Sequence, residues 1–511
     1  MFRVNFNLKY FILCLLILAV CLSVSAQKKT VQKDVLATFE KNIEQGKLDV
    51  TERPLLDYAL ANPNNVRALE LVGRLRLRQG RLEEAKAVYQ RVVKLDAKFT
   101  TAKINYGTIL YEIGQIDEAR QVLNDINPAE ITDAIARLNL AKSLTFVGEF
   151  QKSLEIADKL PLAIKNAEAL PTLAICYQAL NDKTKFDSLI PLAKKNVSAK
   201  PDVALKFAEV MLNAGMNPPA IELLRAIMTT SPKNIQALIL LGKAEIYTKD
   251  FAKAKQDLAR AAGLEPQSAD ILFTQAMLEN AQGNPVAALD LLSKAAVIEP
   301  NSTTILREFV VTAIRANQAR KAVDAAEKLL SLKPDEPDFL YLYGAASLQN
   351  SGLDAAQKSL ERFMQLRPND SRGCLALGLT LAAERDQIEA ARQQLQHCLE
   401  INPANYEAKY QLGLSYKAQG DTATAIKFLE ETVALAPNYS LALRDLGTVY
   451  LQAGDEAKAR IVLEKAVSLS PNDADTHFQL SRLYNLLGET ELAKKHLEMF
   501  QKLKNSGGNS M

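Results

Sequence analysis

Tryptophan is absent from this 511-residue chain, histidine occurs three times, cysteine five times and glycine only 21 times. These shortages remove whole classes of function. The histidines, His397, His477 and His496, are scattered and share no metal-ligand spacing with cysteines or carboxylates. His397 and Cys398 are adjacent in one helical stretch, so their side chains point apart. No phosphate-cradling Walker loop, Gly-x-Ser-x-Gly elbow or dinucleotide fingerprint is present. The chemistry of a cofactor, a metal or a catalytic group therefore has no foothold, and the chain reads as a non-enzyme. The net charge of +3, with a pI near 8.3, is too mild to imply nucleic acid. What remains is a composition suited to helices, 48% apolar and 24% charged.

A fixed interval is what the chain does have. Tyr406–Pro437 reads YEAKYQLGLSYKAQGDTATAIKFLEETVALAP, and Ser440–Pro471 reads SLALRDLGTVYLQAGDEAKARIVLEKAVSLSP. Leu412-Gly413 returns as Leu446-Gly447, Tyr416 as Tyr450, Gly420-Asp421 as Gly454-Asp455, Ala425 as Ala459 and Pro437 as Pro471. Each unit holds two apolar-periodic stretches of helical length. Gly420 suits the end of the first, Asp421 can cap the second, and Pro437 cannot continue it. Gly413 and Ala425 are small, so the two helix backbones can pack closely. Ala425→Leu should overpack that contact at roughly 1–3 kcal/mol, and Leu412→Ala should cost roughly 2–5 kcal/mol.

Proline is the ruler for counting. Pro232, Pro266, Pro300, Pro334, Pro368, Pro403, Pro437 and Pro471 are spaced by 34 residues, with one step of 35. The same frame puts unit starts at Gln32, Val66, Thr100, Ala134, Ala167, Pro201, Ile235, Ala269, Thr303, Pro337, Arg372, Tyr406, Ser440 and Ala474. A 34-residue period with these residue types resembles the tetratricopeptide repeat, a helix–turn–helix unit. The resemblance runs from about Gln32 to Leu503. It implies an all-α fold: an α-solenoid of about fourteen repeats, coiled as a right-handed superhelix with first helices lining a concave groove. Some units depart from the pattern. The first has Thr51 at the small position and Pro54 inside its second helix. The fifth has Phe186 at the small position and Pro171 and Pro191 within helical stretches, which with Pro161 makes residues 160–200 the expected kink. Pro218, Pro219 and Pro285 fall near the start of second helices, where proline is tolerated.

Residues 1–26 stand outside the array. Arg3 and Lys9 precede the apolar run Tyr10–Val24, and Val24-Ser25-Ala26 offers small residues ahead of Gln27. This is the three-part form of a secretory signal peptide, expected to place the mature chain in the periplasm or medium. An uncleaved inner-membrane anchor is the rival, although 15 apolar residues fall short of the roughly 20 that span a bilayer. A lipoprotein signal ending at Cys21 is a third reading, weakened by the bulk of Val20. With Cys14 and Cys21 removed, Cys176, Cys374 and Cys398 remain, too few for a disulfide framework. A Cys374–Cys398 bridge is geometrically conceivable, and two small buried residues is the preferred reading. Residues 504–511 (KNSGGNSM) are expected to be a disordered tail.

The expected work is done by surface. Carried over from the family, one inward-facing position in the second half reads Phe273, Arg307, Tyr341, Leu375, Tyr410, Arg444 and Phe478. Aromatics and arginines are the usual anchors of protein interfaces. They suit an extended peptide, or a polysaccharide held by ring stacking; packing between neighbouring helices is the competing account of the same residues. The second unit carries a cluster of Arg67, Arg74, Arg76, Arg78, Arg81, Lys86, Arg91 and Lys94, either for an anionic membrane surface or acidic partner or as a solvated face balanced by Glu70, Glu83 and Glu84. Phe500 and Leu503 sit where a further repeat would pack, which suggests end-to-end self-association or docking of another protein. The Lys and Asn trio of the family's chaperone carboxylate clamp is missing, so a chaperone tail is not expected as partner. The reading is thus an exported scaffold that binds a protein or peptide in its groove. The alternative is a periplasmic component of an envelope or exopolysaccharide export machine.

Overall fold

The computed structural model describes residues 35–384 and 386–507. Residues 1–34, which include the expected signal peptide at 1–26 and the expected unit start Gln32, and residues 508–511 lie outside them. Among the described residues every regular element is a helix. Contacts divide them into two units, one up to Lys249 and one from Asp250.

The first unit begins with α1 (residues 35–44) and α2 (Leu48–Ala61), followed by α3 (Val66–Arg78) and α4 (Leu82–Leu95). Next come α5 (Thr100–Glu112) and α6 (Ile116–Asn124), then α7 (Ala134–Phe146) and α8 (Phe150–Asp158). The pattern slips at the one-turn helix α9 (Leu162–Lys165), which precedes α10 (Leu170–Ala179) and α11 (Lys183–Asn196). It then resumes with α12 (Pro201–Asn213), α13 (Asn217–Thr230) and α14 (Ile235–Tyr247).

The second unit opens with α15 (Phe251–Leu264) and continues in pairs: α16 (Ala269–Ala281) and α17 (Pro285–Ile298), α18 (Thr303–Arg315) and α19 (Ala319–Leu332), α20 (Pro337–Gln349) and α21 (Leu353–Leu366). The last four pairs are α22 (Ser371–Ala382) and α23 (Ile388–Ile401), α24 (Tyr406–Gln419) and α25 (Thr422–Leu435), α26 (Ser440–Ala453) and α27 (Glu456–Leu469), α28 (Ala474–Leu486) and α29 (Thr490–Gly507). Within each unit the helices pack chiefly on their neighbours in sequence, so the apolar core is a row of small clusters rather than one centre.

The turn chemistry explains the regularity. Gly420 and Gly454 take φ of 86° and 75° at the ends of α24 and α26, a conformation without penalty only for glycine. Asp421 and Asp455 then accept hydrogen bonds from the backbone N–H of Thr424 and Lys458, satisfying donors that the helix start leaves open. Asn181, Lys249, Asn317 and Ser351 take the same left-handed turn without glycine. Gly413 is small for a reason slightly different from the one expected. A Cβ there would stand 2.8 Å from the Leu429 side chain, with the nearest backbone atom 3.5 Å away. The glycine makes room for a leucine, not for a backbone, and Gly447 does the same for Leu463.

The departures are absorbed locally. Thr51 is fully buried and turns its hydroxyl back to the Lys47 carbonyl at 2.6 Å. Phe186 packs against Phe207 with ring centroids 5.8 Å apart. Pro191 and Pro54 do lie inside helices, whereas Pro171 sits in the first turn of α10, where it costs nothing. The fifth repeat therefore starts at Leu170 rather than Ala167, with α9 inserted before it. The third repeat is irregular too: α6 is short and a 3-10 turn at Pro128–Glu130 follows it. At the other end α29 runs through residues 504–507, where a disordered tail was expected.

Candidate functional site

The ladder of first-helix residues in the second unit splits into two kinds. Phe273 is half-buried against the core of its repeat, and Arg307 is exposed. Arg307 makes no ion pair or hydrogen bond among the described residues. Tyr341 is half-buried, 5.6 Å from the Phe363 ring, and the Arg372 guanidinium lies over its face at 5.0 Å. Leu375 is half-buried. These four residues leave surface for a partner.

Tyr410 and Arg444 do not. Tyr410 is 6% exposed and donates its hydroxyl hydrogen to Asp445 at 2.8 Å. Burial, and then the Asp445 charge, hold that phenol well above its usual pKa. Lys417 reaches the other oxygen of Asp445 at 2.7 Å, and Arg444 approaches the carboxylate at 3.2 Å and Asp473 at 3.4 Å. Tyr439 closes over Tyr410 edge-on at 5.0 Å. Tyr410 thus offers no ring face to a ligand, and Arg444 is held among acids. A buried carboxylate needs such partners, and here they come from the preceding repeat as well as its own. Asp445 was not singled out in the sequence. The signal was an acid set between Leu443 and Leu446 in an otherwise apolar helix.

Profiles of the tetratricopeptide repeat match residues 53–98 and 239–303, 76–134, and 406–471. This is a tetratricopeptide-repeat protein. No curated protein matches the chain. Among solved structures it is similar to the APC/C hetero-tetramer Cut9–Hcn1, at 16% identity over 89% of this chain and 96% of that one, with a TM-score of 0.42. It is also similar to MamA protein, at 25% identity over 34% of this chain and 93% of that one, with a TM-score of 0.29. Tetratricopeptide repeats are protein-interaction modules, and the chain is a protein–protein interaction scaffold at that level of description.

The other surfaces of the tetratricopeptide array are more closed than their sequence suggests. In the arginine-rich second repeat, Arg67 and Arg74 bind Glu40 of α1 at 2.6 and 2.8 Å, and both also reach the buried Glu70. Arg76 bridges Glu52 at 2.5 Å and Glu84 at 2.9 Å. Hydrogen bonding by Arg67 and Arg76 lowers the pKa of Glu40 and Glu52. The balancing acids are thus Glu70 and Glu84 of the same repeat, joined by Glu40 and Glu52 of the first, and Glu83 takes no part among the described ion pairs. Arg67, Arg74 and Arg76 therefore tie the second repeat to the first, while Arg78, Arg81 and Arg91 remain exposed to solvent.

At the carboxy-terminal pair, Phe478 is 38% exposed and packs at a tilt against Phe500, ring centroids 5.2 Å apart, with Lys504 over the second ring at 5.7 Å. Phe500 and Leu503 are half-buried. Leu497 of this pair is 39% exposed, whereas Leu463 and Leu429, one and two periods earlier, are fully buried.

Cys374 and Cys398 form a disulfide, S–S 2.14 Å, which overturns the reading of two free buried residues. The two helices of one repeat bring their Cα atoms to 5.6 Å, inside the usual range. Cys176 is free and buried, and burial pushes its thiol pKa up. Among the described residues no three or more His, Cys, Asp or Glu side chains are placed to hold a metal ion. None of the described helices is long and apolar enough to cross a membrane.

Proposed function

We propose that the chain is a non-enzymatic scaffold working outside the cytoplasm, and that it holds an extended segment of a partner protein along α16, α18 and α20. Arg307 carries the reading. It is an exposed, unpaired guanidinium on the first-helix ladder, flanked one repeat away on either side by Phe273 and Tyr341. An arginine between two ring-bearing positions is the residue combination that anchors interfaces. A polysaccharide would need a run of open ring faces, and burial of Tyr410 breaks that run. Export is supported by the signal-like residues 1–26 and by the Cys374–Cys398 disulfide, a bond that persists mainly in oxidising compartments.

The test is affinity capture from envelope extract by the mature chain, read by mass spectrometry. The double variant Arg307→Glu, Tyr341→Ala is run beside it. The reading expects a captured protein that the double variant loses while its melting temperature stays close to that of the parent. Equal capture by both chains would sink it.

A further inference from the structure

The break in the array at the fifth repeat opens a cleft. Its cavity volume is ≈ 710 Å³, and it lies among α7, α10 and α12, the first helices of three successive repeats. Because α10 starts late and is only ten residues long, it leaves space beside its neighbours that a full-length first helix would fill. Phe146, Pro171, Ile175 and Val210 supply apolar wall, and Phe146 is 48% exposed.

Three lysines line the same cleft. Lys200 is already paired with Glu168. Lys142 and Lys206 make no ion pair or hydrogen bond among the described residues, although both stand in the cleft. Burial lowers the Lys142 pKa, and the nearby Lys206 charge lowers it further, against a smaller opposing pull from Glu168. Two ammonium groups facing one partly desolvated space are mutually repulsive, and an anion between them relieves that repulsion. Asp202 and Glu209 flank Lys206 on its own helix and bind neither lysine. They would repel a run of acids, so the cleft suits one carboxylate among apolar neighbours.

We propose that this cleft is a second binding site, taking a segment of a partner protein in which a single Asp or Glu carboxylate sits between Lys142 and Lys206 and an adjacent apolar side chain packs on Phe146 and Ile175. It is separate from the Arg307 surface, and either assignment can fail alone. A cleft of this volume is of the size that accepts a few side chains, mostly apolar with a small number of placed polar groups.

The probe is a set of amino-terminally labelled, carboxy-terminally amidated nonapeptides with one Glu between Leu and Phe, titrated against the intact mature chain by fluorescence anisotropy. The same peptides with Gln replacing Glu are the control. The Glu peptide should bind about tenfold more tightly or better, as expected for a charge-assisted contact. Lys206→Gln and Lys142→Gln should each remove about that factor, and Arg307→Glu should leave it unchanged. Equal affinity for the Glu and Gln peptides overturns the proposal. So does retained affinity in Lys206→Gln, binding only when the peptide has a free terminal carboxylate, or no binding up to millimolar concentration. Lys206 is exposed, so its variant remains informative even where Lys142→Gln folds poorly.

Discussion

The repeats that begin at Tyr406 and Ser440 keep the 34-residue frame, and the one near Leu170 does not. In the first two, polar side chains on the first helices are bonded across to a neighbour: Tyr410 and Lys417 to Asp445, Arg444 to Asp473. Near Leu170, Lys142 and Lys206 have no such partner and a cleft stands between their helices. Regular stacking brings the same positions together again and again, so a polar residue there can find a mate in the next repeat, as Tyr410 does and Arg307 does not. Where one helix is shortened, that register is lost and charges are left for something else.

The contrast can be tested with one substitution on each side. Asp445→Asn removes a carboxylate that is 8% exposed and leaves Lys417 and Arg444, 24% and 19% exposed, without it. Breaking an ion pair of that burial costs about 3 kcal/mol. Lys142→Gln removes an unpaired, partly buried ammonium, so stability should be unchanged or slightly higher. Urea denaturation of the two variants beside the parent chain measures both. A Lys142→Gln loss as large as that of Asp445→Asn would erase the distinction between committed and uncommitted charges.

A smaller effect of opposite sign is expected from proline. Pro191 lies inside α11 of the irregular repeat and supplies no N–H to the Asp187 carbonyl. Pro191→Ala restores that donor. The gain exceeds the unfolded-state entropy that proline saves, so the variant should be more stable by about 1–2 kcal/mol. Pro437 stands after α25, where no helical N–H is needed. Pro437→Ala should therefore cost less than about 1 kcal/mol. Melting curves of the two variants should move in opposite directions.

Most of the frame was legible because turn chemistry repeats with the helices. The starts at Val66, Thr100, Ala134, Pro201, Ile235, Ala269, Thr303, Pro337, Tyr406, Ser440 and Ala474 are first residues of helices in the structure. Arg372 was one residue late and Ala167 three early. The error at Ala167 has a local cause: Pro171 was read as a helix breaker although it opens a helix, and α9 carries no periodic signal in its single turn. The turns at Asn181, Lys249, Asn317 and Ser351 were illegible as glycine turns because other residues take the left-handed conformation there. On the surfaces, position along a helix could be read but pairing could not. Nothing local in Tyr410 announces a partner 35 residues away, and Glu40 and Glu52 gave no sign that they would meet the arginines of the next repeat. The bridge between Cys374 and Cys398 was open on spacing alone, and the distance between the two helices settles it.

The smallest predicted effect concerns the last pair, where histidine replaces an apolar contact. His477 and His496 meet through their Nδ1 atoms at 2.8 Å, and His477 Nε2 lies 3.0 Å from the Pro471 carbonyl. A carbonyl accepts only, so His477 carries its proton on Nε2, and His496 must donate from Nδ1 to His477. One period earlier, His496 corresponds to Val462. Burial lowers the His496 pKa below its ordinary 6.5, with His477 and Lys495 adding to the effect and Glu464 opposing it. A histidine with a depressed folded-state pKa contributes stability that is present above the unfolded value and is lost as pH falls through the folded one. The melting temperature of the parent should therefore decline more steeply below about pH 6.5 than that of His496→Val. Parallel curves from pH 7.5 to 5 would mean that α29 holds to α28 without regard to this pair. A steeper decline in the parent means that the carboxy-terminal pair, alone among the regular repeats compared above, depends on a proton as well as on packing.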